Sequence, residues 1–143
     1  MSLSRRDLSL LLPALVATGA AAQEKSNAGL PSKIYHNDKI PYEGDEKKKG
    51  REFLHMPTHG GFMIASHETI LGAGVVTHAP HRHEHEELLF VVEGTAETSI
   101  DGKKELAEAG SVICFGSNSL HNLRNAGTKP CRYYVVELRG KEA

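Results

Sequence analysis

Charge of one sign, cysteine and long apolar runs are all scarce in this chain. Of 143 residues, 17 are lysine or arginine and 18 are aspartate or glutamate, giving a net charge of −1. Lys47-Lys48-Lys49 is set beside Glu43, Asp45, Glu46 and Glu52 and reads as a solvated loop. With no basic patch to meet a phosphate backbone, nucleic acid is not an expected partner. Cys114 and Cys131 are the only cysteines. An oxidising compartment permits a bridge between them; folding in a reducing one leaves two free thiols, which is the plainer reading. Beyond the N-terminus no apolar stretch could span a bilayer. Repeats and amphipathic helical periods are absent as well, and so is the zinc-protease pattern H-E-x-x-H. Glu87 follows His83-Glu84 where histidine would be needed, Leu89 follows His85-Glu86, and Leu71 follows His67-Glu68.

The N-terminus reads as an address. Ser4-Arg5-Arg6-Asp7-Leu8 opens a charged region, residues 8–17 are apolar but too short to cross a membrane, and Ala20-Ala21-Ala22 offers a cleavage site before Gln23. Residues 1–22 are therefore expected to be a bacterial signal peptide. The paired arginines resemble those of a twin-arginine signal, which implies export of a folded protein to the periplasm or beyond. Residues 23–32 are mostly polar and form a flexible tether. Residues 33–143 then form one domain, large enough for a proper core.

Short strand-like segments fill that domain. Residues 33–42, with Ile34, Tyr35 and Ile40, are expected to add an edge strand or a dimer arm. Residues 50–54 lead into a strand, and 62–70 alternate weakly. Residues 86–92 and 95–100 are expected to pair as a hairpin across Glu93-Gly94. Asp101-Gly102 is a two-residue hairpin signal toward 103–106. Residues 111–115, 120–125 and 132–138 complete an all-β domain.

Nine histidines are present. His81 and His83 are two apart, so in an extended strand both face the same side. Glu87 follows at the head of the apolar run 88–92, and His121 lies downstream. Three imidazoles and a carboxylate suit a divalent transition metal. His85 shares the parity of His83 and could compete as a ligand. His36, His55, His59, His67 and His78 have no motif support and read as structural or exposed.

The two blocks, H-x-H-x3-E-x6-G from His81 to Gly94 and the stretch from Gly110 through His121 to Asn125, resemble the two motifs of the cupin superfamily. Motif 1 spans 74–94 and motif 2 spans 110–125. Gly74 lies one residue too far from His81, Gly116 stands where the family has proline, and Asn118 where it has glycine. These departures affect turns rather than ligands, and asparagine tolerates the positive φ of a tight turn. The resemblance implies a single-domain double-stranded β-helix, a jelly-roll barrel. It also implies that His81, His83, Glu87 and His121 hold the metal, with His85 as a pocket residue beside them, and that the chain forms a homodimer.

Four protein ligands on a six-coordinate ion leave open positions for a substrate oxygen. The resemblance thus implies a metal-dependent enzyme acting on a small oxygen-rich molecule. Its relatives include dioxygenases, decarboxylases, isomerases and lyases. Adjacent open positions lean the reading toward oxygen-dependent cleavage of an enediol- or catechol-like substrate. Glu87, Glu86 and His85 are the candidate proton carriers. A non-catalytic binding module for a sugar, organic acid or metal is the alternative. Copper and zinc bind such ligands more tightly than manganese or iron by the Irving–Williams order, so loading in the cytoplasm before export would protect a weakly held metal from replacement and favours Fe(II) or Mn(II), with zinc or nickel also open. Phe90, Val92, Ile113 and Phe115 are expected to wall the pocket. Leu123 should face inward and Arg124 away, Asn125 should brace a turn, and one of Tyr133 and Tyr134 should reach inside.

Overall fold

The computed structural model describes residues 29–141. The leader assigned to residues 1–22 and the first part of the tether lie outside the described residues. Within them the regular structure is β1 (Glu43–Gly44), β2 (Lys48–Pro57), β3 (Phe62–Leu71), β4 (Glu86–Glu93), β5 (Thr95–Ile100), β6 (Lys103–Glu108), β7 (Val112–Phe115), β8 (His121–Asn125) and β9 (Cys131–Lys141). A single 3-10 turn, Asn37–Lys39, precedes them, and the described residues contain no α-helix. No described helix is long and apolar enough to cross a membrane.

The strands form two antiparallel sheets, one in the order β1-β2-β3-β9-β4-β7 and one in the order β6-β5-β8. They face each other across a core of Leu71, Leu89, Val91, Ala96, Ile113, Phe115, Leu123, Cys131, Tyr133 and Val135. Fully burying a leucine or phenylalanine contributes about 1.5–3 kcal/mol, so this layer supplies much of the driving force for closing the jelly roll.

The period of two sets what faces inward. In β4, Leu89 and Val91 are buried on the side of Glu87, while Phe90 and Val92 are 40% and 41% exposed. The expectation that Phe90 and Val92 wall the pocket is thus corrected: once Glu87 points inward, both must point out. Ile113, Phe115 and Leu123 do face inward and are buried. In β9, Tyr133 and Val135 are buried, whereas Tyr134 packs outside against Phe53 with ring centroids 5.8 Å apart.

Two connections differ from the sequence expectation. β4 and β5 do not pair as a hairpin; they belong to different sheets. At Gly94 (φ +79°) the chain crosses between them, and a Cβ there would lie 2.7 Å from the Pro130 carbonyl oxygen. This glycine permits close approach and a left-handed backbone rather than a paired turn. Residues 33–42 form no strand. They lie along the sheet as an arm, gripped by Arg51, whose Nη1 donates to the carbonyls of Asn37 (2.5 Å) and Ile40 (3.4 Å). The Asp101-Gly102 turn is as expected: both residues have positive φ, at 48° and 85°, and β5 pairs with β6 in unbroken register.

The loop between β3 and β4 is extended and runs antiparallel to β8. Val76 bridges to Arg124 and His81 to His121. The His81–His121 bridge has backbone hydrogen bonds of 3.1 and 3.0 Å. It sets the two histidines side by side, one from each motif.

Candidate metal centre

Three separate segments deliver the cluster. His81 and His83 come from the loop before β4, Glu87 from the start of β4, and His121 from the start of β8. The turn ahead of His121 is stitched to the first motif. Asn118 has φ +59°, its N–H donates to the His83 carbonyl at 2.7 Å, and Arg82 donates to the Asn118 carbonyl. Asparagine therefore does the work of the glycine it replaces. His121 is 1% exposed and its ring stacks on Phe115, with centroids 4.1 Å apart.

The hydrogen bonds fix which imidazole nitrogen is free. His83 Nδ1 lies 2.8 Å from the His85 carbonyl oxygen, and His121 Nδ1 lies 2.9 Å from the Ser119 carbonyl oxygen. A carbonyl only accepts, so each Nδ1 carries the hydrogen and each Nε2 keeps its lone pair. Burial, together with the nearby His83 ring, holds the His121 imidazole below the ordinary histidine pKa and keeps it neutral. His81 Nδ1, His83 Nε2 and His121 Nε2 are all buried without a hydrogen-bond partner. The three rings offer nitrogens within 4.8 Å of one another. Buried polar atoms are ordinarily paired, so three convergent nitrogens without partners fit a cation. Donation of the second ring N–H to a backbone carbonyl is the usual support of a ligating histidine.

Glu87 joins this group. Its carboxylate lies 3.3 Å from His83 Nε2 and 4.0 Å from His121 Nε2. The other Glu87 neighbour is His85, whose Nε2 is 3.4 Å away. His85 stacks on His83 with ring centroids 3.7 Å apart and planes 4° from parallel. A second possible donor group, His83, His85 and Glu87, thus overlaps the first. Burial and the adjacent His83 lower the His85 pKa. Glu86 does not enter the cluster. It is exposed on the opposite face of β4, as alternation from Glu87 requires, so the structure leaves it out of reach as a proton carrier.

Other groups around the site, Tyr133 apart, were not identified in the sequence. Glu137 sits opposite Glu87 in the β4–β9 register, 3.7 Å from His85 Nε2 and 3.8 Å from His67 Nδ1. Arg139 donates to its carboxylate. His78 packs edge-on against His81 with centroids 4.1 Å apart. Lys48, His67, His78, Tyr133 and Glu137 line a 220 Å³ cavity that reaches Glu87. The inward parity of Glu137 follows from Tyr133 and Val135, a signal present in the sequence. The positions of His67 and Lys48 depend on how β2, β3 and β9 pair. Burial pushes the Tyr133 hydroxyl up, so it stays protonated. Cys114 and Cys131 are unbonded, the first exposed and the second buried.

Residues 67–137 match the family model described as a cupin domain. Among solved structures, the chain is similar to KdgF from a Halomonas species, at 17% identity and a TM-score of 0.64, covering 76% of this chain and 96% of that one. It is also similar to the polyketide cyclase RemF from Streptomyces resistomycificus, at 21% identity and a TM-score of 0.61, covering 78% and 86%. A third is a predicted oxalate decarboxylase from Thermotoga maritima, at 17% identity and a TM-score of 0.62, covering 75% and 99%. These likenesses are of fold. Comparison with curated proteins finds no match.

Proposed function

This chain carries a cupin domain over residues 67–137, and from that premise we propose that it is a metal-dependent enzyme acting on a small oxygen-rich molecule. One observation carries the reading: three buried imidazole nitrogens, on His81, His83 and His121, converge without hydrogen-bond partners. With Glu87 they form the proposed ligand set. A bound divalent metal would polarise a substrate oxygen or bring dioxygen and substrate together.

The chain's own groups supply the rest. The Ser119 and His85 carbonyls hold the His121 and His83 rings in the ligating tautomer. Leu89, Phe115, Leu123 and Val135 give the cavity an apolar side that excludes water. His85 Nε2 stands between Glu87 and Glu137, suited to carry a proton between the cavity and the Glu137 carboxylate. Such groups favour an enzyme over a passive binding module, which would need only apolar walls and the ligands. Solved neighbours named as a cyclase and a predicted decarboxylase share this fold, so fold alone selects no reaction. Adjacent open positions favour oxygen-dependent cleavage of an enediol- or catechol-like substrate. The reading includes Fe(II) or Mn(II) as the metal, acquired before export through residues 1–22, and pairing into a homodimer. The exposed Phe90, Val92 and Val112 beside edge strand β7 support that pairing.

Metal analysis of protein folded in the cytoplasm with several metals available is the test. About one equivalent of iron or manganese, lost in the His81→Ala/His121→Ala double variant, supports the centre. Oxygen uptake with diols, catechols and keto acids then tests turnover. One retained equivalent without turnover on any of these classes favours the binding module; no metal in either protein removes the enzyme reading.

A further inference from the structure

The charges around the cavity are few and can be assigned one by one. Its lining includes one cationic side chain, Lys48, and two carboxylates, Glu87 and Glu137. Glu87 turns toward the imidazoles of His83, His85 and His121, at 3.3 to 4.0 Å. The Glu137 charge is matched by the Arg139 guanidinium, whose Nε donates to it at 2.8 Å. The lining histidines add positive charge or none. Once Glu87 is committed to a divalent ion, the balance left in the cavity is positive.

Lys48 stands at the rim from the start of β2. Its ammonium donates one hydrogen bond to the Thr77 carbonyl, at 2.8 Å. An ammonium has three hydrogens, so that contact anchors the head group and leaves donors for a ligand. Deeper in, Tyr133 lines the cavity beside Thr69, its register partner on β3. Leu89, Phe115, Leu123 and Val135 form the apolar side. The volume of 220 Å³ is below the roughly 300–1,000 Å³ of pockets for drug-sized ligands, so the occupant has only a few carbons.

We propose that the substrate of this cavity is a small carboxylate carrying a second oxygen function, its carboxylate drawn by Lys48 while the oxygen function faces the histidine cluster and its carbon body rests on the apolar side. This rests on the metal-centre reading above and narrows it to a charge class. A neutral diol or an unsubstituted catechol of equal size would offer the remaining donors of the ammonium no opposite charge.

Calorimetric titration of the metal-loaded protein tests this with two probes of one carbon skeleton, lactate and propane-1,2-diol, on wild type and Lys48→Met. Lys48 is exposed, so the variant should keep its fold and metal, as circular dichroism and metal analysis will show. The expected result is that lactate binds at least about tenfold tighter than the diol, in line with a hydrogen bond to a charged group. Lys48→Met should lose most of that preference, and added salt should weaken it. Equal binding of the two probes, no binding of either, or a preference unchanged in Lys48→Met would each overturn the assignment while leaving the metal centre standing. Protein that takes up no metal would instead fail at the earlier step and overturn both.

Discussion

Asn125 is fully buried and ties three chain segments together. Its Nδ2 donates to the carbonyls of Leu71 and Gly72, both at 3.0 Å, and of Lys129 at 2.7 Å, while its Oδ1 accepts from the Gly127 N–H at 2.8 Å. It joins the end of β3 to the loop after β8, at the far end of the strand that His121 opens. Leucine would fit the volume but leave buried carbonyls bare, each costing about 1–3 kcal/mol. Asn125→Leu should therefore lose about 3 kcal/mol or more in urea unfolding, with the metal site impaired only through the fold. The cysteines give a second check at this scale. Cys131 is buried, and burial pushes its thiol up to about 11; Cys114 is exposed on β7. A thiol reagent should modify one cysteine in the native protein and both after unfolding, and Cys114→Ser should abolish the native reaction. Protection of both thiols, restored to reactivity only by reductant, would instead indicate a bridge.

The arm before β1 is held to the large sheet by one buried carboxylate. Glu68 of β3 is fully buried and accepts from Tyr42 at 2.9 Å, Arg51 Nε at 2.6 Å and Arg132 at 3.2 Å. Burial alone would raise its carboxyl; the hydrogen bonds from Tyr42, Arg51 and Arg132 more than offset this and hold it below the ordinary range. The folded value is thus lower than the unfolded one. Its contribution is complete above the unfolded carboxylate value of about 4.3 and is lost as pH falls through the lower folded value. Glu68→Gln leaves the buried Arg51 without its carboxylate, a change that costs about 3–5 kcal/mol for buried pairs, while Arg132 keeps Glu93. The deficit should be full at neutral pH and narrow in acid, read from unfolding curves at several pH values. A deficit that stays constant into acid would contradict this account. Sequence patterning showed the strands here but not their partners. The run ending at Glu93-Gly94 looks like a hairpin, because a local pattern cannot tell a paired turn from a crossing between sheets. The Pro130–Cys131 backbone packed against Gly94 makes that distinction.

For the whole molecule, the centre joins segments that are far apart in the chain. His81 and His83 precede β4, while His121 opens β8 in the other sheet. An ion held by all of them binds the folded state and not the unfolded one. At 100 times its dissociation constant it should add about 2.7 kcal/mol, which for a domain of this size raises the melting temperature on the order of 10 °C. Scanning calorimetry with and without a chelator checks this. The shift should vanish in His121→Ala, whose melting temperature should be indifferent to the chelator.

By itself the sequence determined the period of two, the Asp101-Gly102 turn, and the histidines and glutamate of the cluster at their spacing. Each is written within a few residues, and a strand's alternation converts spacing directly into a shared face. It also carried the tolerance of Asn118 for positive φ, a property of that side chain alone. Only the tertiary structure decided that Glu137 faces Glu87 and that His67, His78 and Lys48 reach the cavity. Those positions depend on which strand pairs with which, and in what register. Strand pairing is settled by burial and hydrogen bonding summed over both sheets, and no short stretch of residues encodes it.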